Sequence, residues 1–290
     1  MSWLSNCCGG FSLPVSNLSS TEENPSMTGI RADYHLHTPL CHHAVGDPLE
    51  YVQAARNAGL TEIGFADHNP MPEKFDDWRM SIEDLPRYVA MVEAVGSAEF
   101  PVRLSLECDF VEGYESWIER LAGKASWDYL IGSVHYIAPG WDVDNPKYLS
   151  RFKEYPVEEI WDLYWKNYVR CIESGLFDFV AHPDLPKKFG YRPAGDLRRY
   201  YQPAVEALGK RRIAFEINTA GLRKEVKEAY PAFEFLQLAH EAGVALVINS
   251  DAHAPVEVGY RFDLARDLAR QAGYTKVCLF EKRRRIEVDL

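Results

Sequence analysis

The sequence from Arg31 onward alternates between short apolar runs of strand length and longer stretches with helical periodicity. The runs of strand length are Ala32–Leu36, Glu62–Ala66, Val102–Leu106, Tyr129–Val134, Phe177–Ala181, Ile213–Ile217, Ala245–Ile248 and Lys276–Phe280. Repeated strand and helix units are typical of a parallel sheet covered by helices, which is either open or closed into a barrel. The alternation therefore predicts an α/β fold, and other residues must decide between the open sheet and the barrel.

Residues that can bind a metal ion stand at or just after the end of most of these runs. They are His35, His37, His43, His68, Glu107, His135, His182, Asp251 and His253. His35 and His37 point to the same side of a strand, because side chains alternate with a period of two, so one ion can bind both. Parallel barrels carry their chemistry at the carboxyl ends of the strands, and only closure brings the first and last strands together. The ligand pattern therefore favours a closed barrel.

A single histidine at a strand end is more often a hydrogen-bonded structural or surface residue than a metal ligand. Here, however, seven of the nine histidines occupy such positions, whereas chance would scatter them through helices and tails. Of the other two, His42 is expected behind His43 or in solvent, and His240 lies within a helical pattern and is expected on the surface or in packing. We therefore interpret the seven as one metal-binding set.

This set is too large for one tetrahedral zinc ion, which takes four ligands. It predicts two to three divalent ions, and mixed imidazole and carboxylate ligands without thiolate suit zinc, manganese or iron. Such ions form hydroxide from bound water near neutral pH and stabilise an oxyanion. We therefore expect hydrolysis of a phosphate ester, with hydrolysis of an amide or cyclic amide as the alternative.

Several motifs in chain order resemble those of the polymerase-and-histidinol-phosphatase (PHP) domain. They are Asp33-Tyr34-His35-Leu36-His37-Thr38, Phe65-Ala66-Asp67-His68, Leu106-Glu107, Gly132-Ser133-Val134-His135, Ala181-His182-Pro183-Asp184 and Ser250-Asp251-Ala252-His253. Within that superfamily the chain resembles the monofunctional histidinol-phosphatases. The segments that carry this narrower similarity are His35 to Cys41, Ile131 to Tyr136, Asp184 to Gly190 and Asn218 to Arg223.

The resemblance implies a distorted (β/α)7 barrel, with Lys276–Phe280 and the residues after it appended to the barrel. It also implies three metal positions. The first would use His35, His37, Glu107 and Asp251, the second would share Glu107 and add His135 and His182, and the third would use His43, His68 and His253. No residue of this implied set is missing from the sequence.

The implied reaction is the metal-dependent hydrolysis of L-histidinol phosphate to L-histidinol and phosphate, a step of histidine biosynthesis. A hydroxide that bridges two metal ions would attack phosphorus, Glu107 would hold both ions, and Asp251 or His253 would pass a proton to the leaving alkoxide. One alternative is a PHP-type phosphoesterase that acts on another small phosphate ester or a nucleotide. The other is a metal-binding module without catalysis, which would predict a missing ligand.

A phosphate monoester also needs cationic side chains near the metal ions. The candidates are Lys187, Lys188, Arg192 and Arg223, because arginine in particular can grip phosphate through two parallel hydrogen bonds. A solvated basic loop is the alternative for each of them. The basic run Lys282–Arg285 lies past the last strand run, and we interpret it as a solvated face or tail.

Composition limits the partners. Forty-three acidic against 32 basic residues give a formal net charge of −11, which repels the phosphate backbone of duplex nucleic acid. Six cysteines without short paired spacing and the lack of a long apolar run predict reduced thiols, a cytoplasmic location and no membrane partner. Residues 1–29 are expected to form a loosely ordered extension and residues 30–290 the phosphatase barrel, whose partner is a small phosphate ester; no oligomeric state is predicted.

Overall fold

The computed structural model describes residues 31–290, so the extension expected at residues 1–29 lies outside the described residues. The described strands are β1 Ala32–Leu36, β2 Glu62–His68, β3 Val102–Asp109, β4 Ile131–Ser133, β5 Tyr136–Ala138, β6 Trp141–Asp142, β7 Phe179–Val180, β8 Ala214–Asn218, β9 Leu246–Asn249, β10 Lys276–Glu281 and β11 Arg284–Asp289. The described α-helices are α1 Pro48–Asn57, α2 Leu85–Val95, α3 Glu115–Ala122, α4 Arg151–Glu154, α5 Val157–Ser174, α6 Arg198–Arg211, α7 Phe233–Glu241 and α8 Phe262–Ala272.

Seven parallel strands form one sheet in the order β1-β2-β3-β4-β7-β8-β9. The sheet curls so that its first and last strands meet, where Leu36 and Ala252 form a parallel bridge. Beside this bridge, the Asn249 side chain accepts a hydrogen bond from the Tyr34 N–H at 2.8 Å. The Asp33 carboxylate accepts one from the Ser250 N–H at 3.0 Å. Side chains thus replace part of the backbone ladder at this seam, and the expected distorted (β/α)7 barrel is confirmed.

Local sequence signals explain where the helices begin and end. Helix α1 starts with a capping box, in which Asp47 accepts from the Leu49 N–H and Glu50 accepts from the Asp47 N–H. Pro48 stands at its first position, where a missing N–H costs nothing. Helix α5 ends at Gly175, whose φ of 72° is the left-handed conformation that glycine adopts without strain. Local sequence signals thus account for the first residue of α1 and the end of α5.

The antiparallel β10–β11 hairpin closes the end of the barrel opposite the histidines, which we call the lower end. Phe280 from β10 is 1% exposed, and its ring centroid lies 5.3 Å from that of Phe179, 5.9 Å from that of Tyr129 and 6.2 Å from that of Tyr34. These aromatic rings fill the space between the amino-terminal halves of the strands. The eighth strand run, Lys276–Phe280, is therefore appended to the barrel as expected, and it closes the end opposite the histidines.

The basic run Lys282–Arg285 is a solvated face of the β10–β11 hairpin and not a tail. Its side chains are exposed, but Lys282 and Arg283 form the turn of the hairpin with φ of 48° and 62°, and Arg284 begins β11. The Arg283 N–H donates to the Asp128 carbonyl oxygen at 2.7 Å. Sequence missed this turn because such φ values usually require glycine or asparagine.

The short β5–β6 hairpin and the single-turn helix α4 were also not predicted. Both are shorter than the window over which hydrophobic periodicity can be measured. Within residues 31–290, no helix is both long and apolar enough to cross a membrane.

Replacement of Phe280 by alanine should destabilise the protein by about 3–5 kcal/mol, because it empties the aromatic cluster at the lower end of the barrel. Urea unfolding monitored by circular dichroism measures this change. The control is Ile286→Ala on β11, where the side chain is 43% exposed and the expected loss is below about 1 kcal/mol. Equal losses in the two variants would show that the hairpin does not complete the core.

Candidate metal centre

The nine candidate ligands converge at the carboxyl ends of the barrel strands. Seven of them line an open pocket of about 380 Å³ at this end. They are His43, His68, Glu107, His135, His182, Asp251 and His253. His35 and His37 are fully buried beneath the floor of this pocket. The structure therefore brings together all of the residues that the sequence pattern singled out as ligands.

Glu107 stands at the centre of this set. Its Oε2 lies 3.2 Å from His35 Nε2 and 3.6 Å from His37 Nε2. Its Oε1 lies 2.8 Å from His182 Nε2 and 3.6 Å from His135 Nε2. Oε2 also lies 3.0 Å from His68 Nδ1. One carboxylate therefore faces five imidazoles, three with Oε2 and two with Oε1.

Asp251 completes the first of these groups. Its Oδ1 lies 3.4 Å from His37 Nε2 and 3.9 Å from His35 Nε2. Ligand atoms about 2.0–2.2 Å from one tetrahedral zinc ion are separated by roughly 3.3–3.6 Å. The separations among these side chains are close to that range, so the group can hold one tetrahedral ion with little movement.

His43, His68 and His253 form a further group at the mouth of the pocket. Their ligand nitrogens lie within 4.8 Å of one another. The His43 ring centroid lies 4.6 Å from that of His253 and 5.4 Å from that of His68. The Trp78 ring packs edge-on against His68 at 4.4 Å and borders this group.

Buried ring nitrogens without partners support metal binding. The Nε2 atoms of His35, His37 and His253 are buried. Carboxylate oxygens lie near the first two, but none of the three makes a hydrogen bond of acceptable angle within the described residues. Buried polar atoms are nearly always satisfied in folded proteins, so a cluster of unsatisfied imidazole nitrogens is typical of a site that binds a cation. The donor set of imidazoles and carboxylates therefore fits divalent metal ions.

Two carboxylates behind the ligands orient the imidazoles. His35 Nδ1 lies 3.1 Å from Glu216 Oε2, and His135 Nδ1 lies 2.6 Å from Asp109 Oδ1. Each ring donates its Nδ1–H to the carboxylate, which leaves Nε2 free to face the pocket. Sequence analysis missed both residues. Asp109 stands two positions after Glu107 in β3 and Glu216 is a carboxylate within an apolar strand, and these were the only sequence signals.

Backbone carbonyl groups orient two more rings in the same way. His43 Nδ1 lies 2.6 Å from the Cys41 carbonyl oxygen, and His253 Nδ1 lies 3.2 Å from the Asp251 carbonyl oxygen. Asp251 itself has a φ of 53°, and His182 has a φ of 22°. Such values are unfavourable for residues other than glycine and cluster at functional sites. Both residues leave regular strand geometry where their side chains turn into the site.

The surrounding charges set the protonation of the central groups. Burial alone would raise the pKa of Glu107, but the imidazoles of His35 and His68 outweigh it and hold this pKa well below its ordinary value. Burial likewise opposes ionisation of Asp251, but His35 and His37 keep its pKa well below the ordinary range. Burial lowers the pKa of His68 to about 3. Burial would also lower the pKa values of His35 and His37, but Glu216 raises that of His35 well above its ordinary value and Asp251 raises that of His37 to about 10. A metal ion must therefore displace a proton from these two rings, because imidazole binds metal in its neutral form.

The four cationic candidates lie in different surroundings. Lys188 lines the pocket, and its Nζ donates to Asp144 Oδ2 at 2.8 Å. Arg223 does not line the pocket itself. It donates to the carbonyl oxygens of Ser250 and Asp251 at 3.0 and 2.9 Å, and its Nε lies 3.1 Å from Glu257, which does line the pocket.

Lys187 and Arg192 do not line this pocket. Lys187 is fully buried and donates to the Ala229 carbonyl oxygen at 2.7 Å. Arg192 pairs with Glu228 at 2.6 Å. Of the two remaining histidines, His42 is exposed beside the site, and His240 packs against Tyr274 with ring centroids 5.0 Å apart.

Several pocket residues carried no sequence signal. They are Trp78, Asp142, Asp144, Tyr230 and Glu257. Asp142 and Asp144 reach the pocket through the β5–β6 hairpin, and Tyr230 through a loop before α7. Neither segment has a periodic pattern, so only the folded chain shows that these residues face the ligands.

Comparison with known proteins agrees with this geometry. A family model described as the PHP domain matches residues 33–220. The chain is 44% identical over 254 residues to a "Probable histidinol-phosphatase" of Deinococcus radiodurans, and the alignment covers 86% of this chain and 96% of that protein. It is 26% identical over 265 residues to the histidinol-phosphatase of Bacillus subtilis, covering 80% and 97% of the two chains.

The fold is also similar to that of histidinol phosphate phosphatase from Lactococcus lactis, whose crystal structure contains zinc, L-histidinol and phosphate. The TM-score is 0.73 at 21% identity, and the match covers 88% of this chain and 98% of that one. The family model spans most of the barrel, and the Deinococcus relative aligns over nearly its whole length. The chain therefore belongs to the PHP-domain superfamily, in the branch of the histidinol-phosphatases.

Proposed function

We propose that this protein is a phosphoric monoester hydrolase that converts L-histidinol phosphate into L-histidinol and phosphate. The observation that supports it most directly is the position of Glu107, whose two oxygens each lie within 3.6 Å of at least two imidazole nitrogens. A carboxylate in this position can bridge two metal ions, as hydrolysis of a phosphate ester at a two-metal site requires. The choice of substrate is supported by the histidinol-phosphatase relatives.

The cofactors of this reaction are two to three divalent ions, zinc, manganese or iron. His35, His37, Glu107 and Asp251 would hold one ion, Glu107, His135 and His182 a second, and His43, His68 and His253 a third. When bound, such ions generate a nucleophile from water near neutral pH and neutralise charge on the phosphate oxygens.

The chain itself supplies orientation and proton transfer. Glu216 and Asp109 fix the tautomers of His35 and His135, so their Nε2 atoms stay directed at the pocket. The leaving alkoxide needs a proton, and we assign this transfer to Asp251 and His253. Both side chains line the pocket, so either can take the proton that water loses when it forms hydroxide and deliver that proton to the alkoxide.

Phosphate binding is assigned to the cationic side chains nearest the metal centre. Lys188 lines the pocket, and Arg223 contacts the backbone of Asp251. Lys187 and Arg192 lie outside the pocket and would act indirectly, by positioning the segment that carries Lys188. Charge-assisted contacts of this kind strengthen as negative charge builds up on the phosphate.

We also propose that residues 30–290 act as one catalytic domain and that the protein works in the cytoplasm. The four cysteines of the described chain, Cys41, Cys108, Cys171 and Cys278, are all free. Free buried thiols are typical of a reducing compartment, where amino-acid biosynthesis takes place.

A phosphate-release assay tests the substrate. Protein reconstituted with metal ions should hydrolyse L-histidinol phosphate with a higher kcat/KM than any member of a panel of nucleotides and sugar phosphates. Stronger activity on a nucleotide, with no activity on L-histidinol phosphate, would show instead a PHP phosphoesterase of different specificity.

Metal analysis tests the cofactors. Reconstituted protein should contain two to three equivalents of zinc, manganese or iron per chain near neutral pH. The content should fall as the pH drops toward about 5, because imidazole must lose its proton to bind a metal ion. Less than one equivalent after reconstitution would contradict a multinuclear centre.

Substitution of the central carboxylate tests the bridge. Glu107→Gln keeps the shape of the side chain but removes its charge, so we expect kcat to fall on the order of 100-fold or more and the metal content to fall with it. The matched control is Glu112→Gln, whose carboxylate is exposed and pairs with Arg170 on the surface. Turnover like that of the wild type in Glu107→Gln would show that the bridge lies elsewhere.

A further inference from the structure

One wall of the pocket carries two carboxylates that are not among the candidate metal ligands. Asp142 ends β6, Asp144 follows two residues later, and both line the pocket. Val143 between them is fully buried, and its N–H donates to the His135 carbonyl oxygen at 2.8 Å. Because His135 is a candidate ligand, this bond holds the two carboxylates beside the metal centre.

The two carboxylates are close together, and neighbouring cations compensate only part of the negative charge that they would carry. The Asp144 N–H donates to Asp142 Oδ1 at 3.3 Å, and Lys188 Nζ donates to Asp144 Oδ2 at 2.8 Å. Burial, and after it the Asp144 carboxylate, raises the pKa of Asp142 to about 8. Burial would also raise the pKa of Asp144, but the Lys188 ammonium outweighs it and lowers this pKa. Lys188 therefore balances Asp144, whereas Asp142 has no cationic partner within residues 31–290 and is mostly protonated near neutral pH until a second cation binds.

The hydroxyl group of Tyr230 faces the same pocket without a partner. The side chain is 1% exposed, and its oxygen has no hydrogen-bond partner within residues 31–290. The ring packs on Gly221, where a Cβ atom would lie 3.1 Å from Tyr230 Cζ, so the ring position depends on this glycine. Burial raises the pKa of Tyr230 well above its ordinary value, and Asp144 adds more than any other charge. A buried hydroxyl beside an acidic wall is typical of a site where a ligand supplies the partner.

We propose that Asp142, Asp144 and Tyr230 form the subsite that binds the primary ammonium group of the substrate's leaving alcohol. This inference rests on the proposed function, because L-histidinol phosphate carries its ammonium group on the carbon next to the ester carbon. An ammonium group has three donors, and the subsite offers two carboxylates and a hydroxyl oxygen. The ammonium balances Asp142 as Lys188 balances Asp144. A phosphate ester without the ammonium group leaves Asp142 without a cationic partner, so the subsite selects phosphates of amino alcohols.

The test compares L-histidinol phosphate with 3-(imidazol-4-yl)propyl phosphate, which lacks only the amino group. Asp142→Asn should lower kcat/KM for L-histidinol phosphate by about 10-fold or more, since a charged hydrogen-bond partner is lost. The loss should fall mainly on KM, because the ammonium is bound equally in the ground state and the transition state. The same variant should hydrolyse the analogue as well as the wild type does. Tyr230→Phe should show the same selectivity with a smaller loss, about 2–10-fold.

The control is Asp267→Asn, which removes a carboxylate of 57% exposure on α8 and should leave both substrates unaffected. Activity on the analogue also reports that each variant is folded and holds its metal ions. Equal losses of Asp142→Asn on both substrates would overturn the inference, because Asp142 would then act through Lys188 or through the fold. A wild-type protein without activity on L-histidinol phosphate would overturn the proposed function, and this inference with it.

Discussion

The site depends on one buried carboxylate among imidazoles. Glu107 is 1% exposed, and removal of a carboxylate from water is unfavourable unless nearby groups compensate for it. The imidazoles that do so come from different strand ends: His35 from β1, His68 from β2 and His182 from the segment after β7. These groups meet only when the sheet is closed. The charge of buried Glu107 is therefore compensated only when the barrel closes.

The two ends of the barrel differ in function: one contributes to stability and the other carries the metal-ligand candidates. At the lower end, Phe280 of the appended hairpin packs against aromatic rings and contributes to stability. At the upper end, polar groups replace apolar packing, and they are unfavourable for stability without a bound cation. The seam between β1 and β9 connects both ends, because Asp33 and Asn249 use side-chain hydrogen bonds where the ladder is incomplete. A parallel barrel can carry such a site because its core lies below the ligands.

The pocket carries charges of both signs on one wall. Lys188 and Asp144 form an ion pair there, with Asp142 adjacent and the metal-ligand candidates opposite. A substrate with both a phosphate and an ammonium group is complementary to such a wall, whereas a simple sugar phosphate matches only its cations. Asp142 and Asp144 belong to the hairpin segment that is hydrogen-bonded to the His135 backbone, so the same segment contributes to substrate selection and to metal binding.

Local signals in the chain predicted the alternation of strands and helices, the barrel and the nine residues at strand ends. His35 and His37 are two residues apart in a strand, and Glu107 and His182 follow apolar runs. Only the tertiary structure placed Glu216 behind His35, buried Lys187 away from the pocket and brought Asp142 and Tyr230 to its wall. Contacts between distant segments leave no periodic trace in the chain, and short hairpins and loops have too few residues to show one. What a polar residue faces is therefore decided by the closed barrel, even where its position in the sequence predicts that it matters.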